Sequence, residues 1–103
     1  MDMVKCIQKI PVRVTDERWL HIIEEHSELS GRYYEILETI SDPDEVYAGS
    51  QSELLAARKL GKEKYLIAVY KIATPDDGFL IAAFMTKNSR WFKKRKCIWR
   101  RKS

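Results

Sequence analysis

Cysteine is scarce in this 103-residue chain: Cys6 and Cys97, near opposite ends, are its only two. They form no CxxC pair, which leaves a thiolate zinc site without support. With no export signal they read as reduced, structural thiols and not as a disulfide framework. Histidine is equally scarce, and His21 and His26 lie five residues apart. On a helix that spacing separates them by about 140°, so they cannot make the i, i+4 pair of an HExxH metal site. No metal or other cofactor is expected. Glycine occurs only four times, and the sequence holds neither a GxxxxGK[ST] loop nor a GxSxG elbow. That disfavours nucleotide hydrolysis, dinucleotide binding and serine hydrolysis. The longest apolar runs, Leu66–Tyr70 and Phe79–Met85, fall far below the ~20 residues of a membrane helix, so no membrane partner is expected. The opening MDMVKCIQKI has neither an apolar stretch nor a small-residue cleavage site, and a cytoplasmic location is the expectation.

Acidic residues are missing altogether from residues 87–103, where nine of the nineteen basic side chains fall: Lys87, Arg90, Lys93, Lys94, Arg95, Lys96, Arg100, Arg101 and Lys102. The first 86 residues carry ten basic and fifteen acidic side chains. The formal charge of +4 therefore divides into an acidic body of −5 and a basic end of +9. Such a block is an electrostatic footprint for phosphate, because each contact to a polyanion releases condensed counterions. The alternative is a strap that neutralises the protein's own acidic body. Trp91, Phe92, Ile98 and Trp99 argue against a free disordered tail, which is normally poor in aromatics.

The length suits one domain over residues 1–103, with 87–103 as its basic C-terminal segment. Met3 to Val14 alternates loosely around Pro11 and reads as a short edge strand or extended arm. Thr15 or Asp16 can cap a helix near 16–27 whose Trp19, Ile22, Ile23 and His26 form one stripe. Tyr33, Ile36, Leu37 and Ile40 repeat that pattern in a second helix near 30–41, stopped by Ser41-Asp42-Pro43-Asp44. Beyond Pro43 the period turns extended: Glu45–Ala48, Glu53–Leu60, Lys64–Ile72 and Phe79–Thr86 read as strands. Gly61-Lys62-Glu63 and the loop Thr74–Gly78 supply the turns. The expected fold is α+β: two N-terminal helices packed on a curved antiparallel sheet of about four strands, followed by the basic segment.

Among residues able to do chemistry, His26 shares the apolar stripe and faces the sheet or a groove rim. His21 lies opposite it, with Glu17, Glu24 and Glu28. Each also has a plain structural reading, His26 as a hydrogen-bonded core residue and His21 as a solvated one. Arg58 alternates with Leu54, Ala56 and Leu60, so its guanidinium must reach a rim, an anion or an acidic partner. Tyr70 and Thr86 occupy interior-strand positions from which a hydroxyl could meet a phosphate, and both are ordinary strand residues as well.

Trp19-Leu20-His21-Ile22-Ile23-Glu24-Glu25-His26-Ser27-Glu28-Leu29 resembles the W-x-H-I-x-x-x-H-P-E-L opening of small phage and bacterial domains grouped with the barnase, EndoU, colicin and RelE-like nucleases. Ser27 departs from that pattern's Pro. The likeness continues through Ile40–Val46, Tyr65–Tyr70 and Leu80–Thr86 and spans roughly residues 12–100. The resemblance implies a compact α+β fold and metal-independent RNA cleavage, in a toxin or a mobile-element effector. In that chemistry the RNA 2′-OH attacks the adjacent phosphate, a base takes its proton, cations hold the phosphate oxygens, and an acid protonates the leaving 5′-oxygen. Carried across, His21 and His26 match the family's helix histidines, Arg58 a strand cation and Thr86 its last-strand threonine, with Tyr70 kept beside them. Lys87, Arg90, Lys93, Lys94, Arg95, Lys96, Arg100 and Arg101 would grip RNA. Two readings from other classes stand beside it: a non-catalytic nucleic-acid-binding module, and a protein-interaction domain that docks an acidic antitoxin or immunity-type protein.

Overall fold

The structure, a computed structural model, describes residues 1–102. The chain runs β1 (Asp2–Lys5), β2 (Pro11–Val14), α1 (Asp16–Glu25), a 3-10 turn (Ser27–Leu29), α2 (Tyr33–Ser41), β3 (Glu45–Ala48), β4 (Leu54–Gly61), β5 (Lys64–Thr74), β6 (Asp77–Thr86), α3 (Arg90–Lys93) and β7 (Cys97–Arg100). All seven strands join one sheet in the order β1-β2-β6-β5-β4-β3-β7.

Local chemistry explains the helices. Thr15 caps α1, its hydroxyl accepting from the Arg18 backbone N–H at 3.1 Å, and Asp16 and Glu17 complement the positive end of the first turn. The apolar stripes of α1 and α2 bury Ile22, Ile36 and Ile40 against Val12, Val14, Ala56, Leu66, Ala68 and Leu80 on one sheet face. Burying each such aliphatic side chain contributes roughly 1.5–3 kcal/mol.

The sheet overturns the expected four-stranded antiparallel arrangement: it has seven strands, is mixed, and carries three short helices. Three features account for the difference. The N-terminal arm folds back on itself, so that β1 and β2 form a hairpin, with Asp2 opposite Val14 and Lys5 opposite Pro11. β2 then pairs in parallel with β6, Val12 against Gly78 and Arg13 against Phe79. A bidentate pair from Arg13 to Asp77, at 2.7 and 3.0 Å, reinforces that junction. Gly78 serves both neighbours, since a Cβ there would stand 2.9 Å from the Lys71 carbonyl oxygen. Finally, the basic end is not a tail: β7 pairs antiparallel with β3, outside β4.

The second sheet face has its own core. Tyr47, Leu55, Ala57, Tyr65, Ile67 and Val69 are covered by Phe92 of α3. Phe92 is fully buried, with its ring centroid 5.4 Å from Tyr47, 5.3 Å from Tyr65 and 5.4 Å from Trp91. The aromatics of the basic segment thus attach α3 to the body, beside the β7–β3 ladder.

Candidate functional site

The clearest convergence of polar and aromatic groups lies along the C-terminal half of β6. β2 pairs with β6 at Gly78 and Phe79, and α1 and the 3-10 turn flank the remainder of that strand. His26 closes α1, its backbone N–H donating to the Ile22 carbonyl at 2.8 Å, and its side chain stays partly exposed. The imidazole lies tilted on Phe84, centroids 5.9 Å apart. Phe84 in turn lies tilted on Trp91, centroids 5.6 Å apart. The Glu28 carboxylate stands 3.6 Å from His26 Nδ1, leaving Nε2 as the nitrogen turned away from it.

Thr86 is built into the same edge. Its Oγ1 accepts from the Asn88 backbone N–H at 3.1 Å and from Trp91 Nε1 at 3.5 Å, and donates to the Asn88 carbonyl. Asn88 Oδ1 accepts from the Arg90 backbone N–H at 3.0 Å and so starts α3. Lys87, Arg90 and Lys94 flank this turn, exposed and without an acidic side-chain partner among the described residues. One face therefore holds an imidazole, two partly exposed aromatic rings, a hydroxyl and three cations. Bases can stack on such rings while cations follow the phosphates.

Three of the sequence candidates stand elsewhere. His21 lies on the outer side of α1, 54% exposed, with Nε2 3.0 Å from Glu25 Oε1. It lines a shallow hollow of about 630 Å³ together with Glu17, Arg18 and Glu24, where carboxylates outnumber cations. Arg58 points to the helix-covered face of β4. It pairs with Glu38 at 2.7 Å, reaches Asp42 Oδ2 at 3.8 Å and donates to the Asp42 carbonyl at 3.0 Å. β5 separates its strand from β6. Tyr70 is completely buried in the helix-side core, and its hydroxyl has no hydrogen-bond partner. The neighbouring Cys6 thiol donates to Gln8 Oε1 at 3.1 Å instead. Burial, with Cys6 beside it, pushes the Tyr70 hydroxyl pKa up, away from any titration near neutrality.

The basic segment divides into structural and available cations. Arg100 pairs with Glu45 at 2.8 Å; Arg101 reaches Asp42 at 2.5 Å and Asp44 at 3.3 Å. Lys93 Nζ donates to the Tyr65 hydroxyl at 3.2 Å, and Arg95 is half-buried with Nε unpartnered. Lys87, Arg90, Lys94, Lys96 and Lys102 remain exposed, and Lys93, though bonded to Tyr65, is exposed as well. Sequence reasoning missed Phe84 and Trp91 as a platform. Its one available signal was Trp91 set among cations, which reads equally as an anchor.

No groups of three or more metal-ligating side chains occur among the described residues. No helix there is long and apolar enough to cross a membrane. No family model, curated protein or solved structure matches the chain.

Proposed function

We propose that this protein binds single-stranded RNA along the His26–Phe84–Trp91–Thr86 edge and cleaves it without a metal ion. One observation carries the reading: the tilted contact of His26 with Phe84, centroids 5.9 Å apart, beside Trp91 and the exposed Lys87, Arg90 and Lys94. Histidine is the side chain best suited to taking and returning a proton near neutral pH. A base stacked on Phe84 or Trp91 brings its ribose beside the imidazole, and the cations hold the phosphate oxygens. His26 Nε2 takes the 2′-OH proton as O2′ forms its bond to phosphorus. The P–O5′ bond breaks, the 5′-oxygen takes a proton from solvent, and a 2′,3′-cyclic phosphate and a 5′-hydroxyl result.

The test is cleavage of an oligoribonucleotide in EDTA by wild type, His26→Gln and His21→Gln, each checked for folding. Cleavage by wild type and His21→Gln, but not by His26→Gln, is expected. Full activity in His26→Gln would overturn the mechanism.

The second reading is a non-catalytic RNA-binding module. It is favoured by the separation of Arg58, Tyr70 and His21 from His26, which leaves one titratable candidate of the original set at the edge. Tight RNA binding without cleavage would select it. An acidic antitoxin-type protein would meet the same exposed cations and would compete with RNA for them.

A further inference from the structure

At the other end of α3 lies a second cationic surface, where Lys93, Arg100 and Arg101 of the basic segment meet Lys59 and Lys62 of the β4–β5 hairpin. The β4–β5 hairpin turns through Lys62 and Glu63, with Lys59 directly opposite Tyr65 in the strand register. Both side chains therefore leave the sheet on the face that α3 covers. Lys93, the last residue of α3, donates from Nζ to the Tyr65 hydroxyl and lies 5.3 Å over its ring. Lys62 joins from the turn, and these groups line a cleft of about 830 Å³ with Asp44, Glu45, Arg100 and Arg101.

Both acids of the cleft are already engaged. Glu45 pairs with Arg100 at 2.8 Å. Asp44 accepts from Arg101 at 3.3 Å and from the Lys59 backbone N–H at 2.7 Å, which also fixes the hairpin in place. Five cations against two carboxylates leave the lining at +3. That excess falls on Lys59, Lys62 and Lys93, none of which has an acidic partner among the described residues. The Tyr65 hydroxyl accepts from Lys93, so its own hydrogen is available to an anion.

We propose that this cleft is a phosphate-binding site, with Lys59, Lys62 and Lys93 as charged donors and the Tyr65 hydroxyl as a neutral one. A phosphate offers more acceptor oxygens and more charge than a carboxylate, so it balances more of the +3 excess of this lining. The link to RNA rests on the function proposed above: α3 spans from Trp91 at the His26 edge to Lys93 at the cleft, so the cleft would hold a second phosphate of the same strand. Affinity for phosphate itself does not depend on that link.

The test is NMR titration with inorganic phosphate at constant ionic strength. Saturable shifts at the amides of Lys59, Lys62 and Lys93 are expected. Affinity should fall roughly tenfold or more in Lys59→Gln/Lys62→Gln, as loss of charge-assisted hydrogen bonds implies, and should be unchanged in Lys5→Gln. Tyr65→Phe, which keeps the packed ring, should weaken binding by a smaller factor. Titration with oligoribonucleotides bearing or lacking a 5′-phosphate separates the sources. Cleft shifts from both assign an internal phosphate, and shifts only from the phosphorylated one assign a terminal phosphate. No saturable shift with inorganic phosphate, or equal affinity in the double variant, overturns the site. Phosphate binding without RNA binding would sink the proposed function and leave the cleft standing. RNA binding with a silent cleft would do the reverse.

Discussion

Replacing Phe92 with alanine should release α3 from the second sheet face, leaving the basic end held by β7 alone. The ring is fully buried and meets Tyr47, Tyr65 and Trp91 at centroid separations of 5.3–5.4 Å, each an edge-on contact. Truncating a core phenylalanine costs about 3–5 kcal/mol, and aromatic pairs add roughly 0.5–1.5 kcal/mol each beyond area, so the upper part of that range applies. A four-residue helix such as α3 cannot persist without its packing, so its loss re-exposes Tyr47 and Tyr65. Against a domain stability of about 5–15 kcal/mol this is a large fraction. At about 4–8 °C per kcal/mol, Tm should fall by about 12 °C or more. Urea unfolding followed by far-UV circular dichroism and tryptophan fluorescence measures the change. A loss below about 1 kcal/mol, where core truncation costs severalfold more, would show that α3 is not a layer of the fold.

Three further outcomes are expected. Lys87→Ala/Arg90→Ala/Lys94→Ala should flatten the slope of log RNA affinity against log salt by about two units, since single strands lose about 0.7 per phosphate contact; Arg100→Ala/Arg101→Ala should lower stability and leave the slope near wild type. Tyr70→Phe should be neutral or mildly stabilising because the buried hydroxyl has no partner. Because burial raises its folded pKa, Tyr70 makes the fold lose stability as pH rises from the ordinary tyrosine value of about 10 toward the higher folded value, so Tyr70→Phe should lessen alkaline unfolding, and any loss of RNA cleavage in this variant would restore Tyr70 to the site. The Arg13 hydrogen bonds hold the Asp77 carboxyl below its ordinary value. The stability this pair contributes is present above the ordinary carboxylate pKa of about 4 and is lost as pH falls through the lower folded value, so Asp77→Asn should flatten the acid limb of a stability–pH profile.

Much of the local structure was legible because single residues dictate it. Thr15 caps α1, Pro43 follows α2, and the β4–β5 turn falls at Lys62 and Glu63, where Glu63 adopts a φ of 59°. The apolar run Tyr65–Tyr70 is buried on both faces, a sign of a second covering layer that the expected arrangement of helices on the sheet left unused. The layer itself was hidden, because its helix is four residues long and its strand reads Cys-Ile-Trp-Arg inside a cationic run. The parallel β2–β6 pair joins segments more than sixty residues apart and leaves no periodic trace in a strand as short as Pro11–Val14. Alternation placed Arg58 on an apolar face, with a rim, an anion or an acidic partner open to it, and it pairs with Glu38 and Asp42. The stripe containing His26 gave its side of α1, but its meeting with Phe84 depends on how α1 lies along β6.

The most direct measurement of the central claim is a map of amide and indole NMR shifts on adding a single-stranded oligoribonucleotide in EDTA. The account predicts saturable shifts at His26, Phe84, Thr86 and the Trp91 indole N–H, with Lys87 and Arg90 beside them. Shifts confined to the α2 surface or the β1–β2 hairpin, or none at concentrations that saturate other RNA-binding domains, would contradict it.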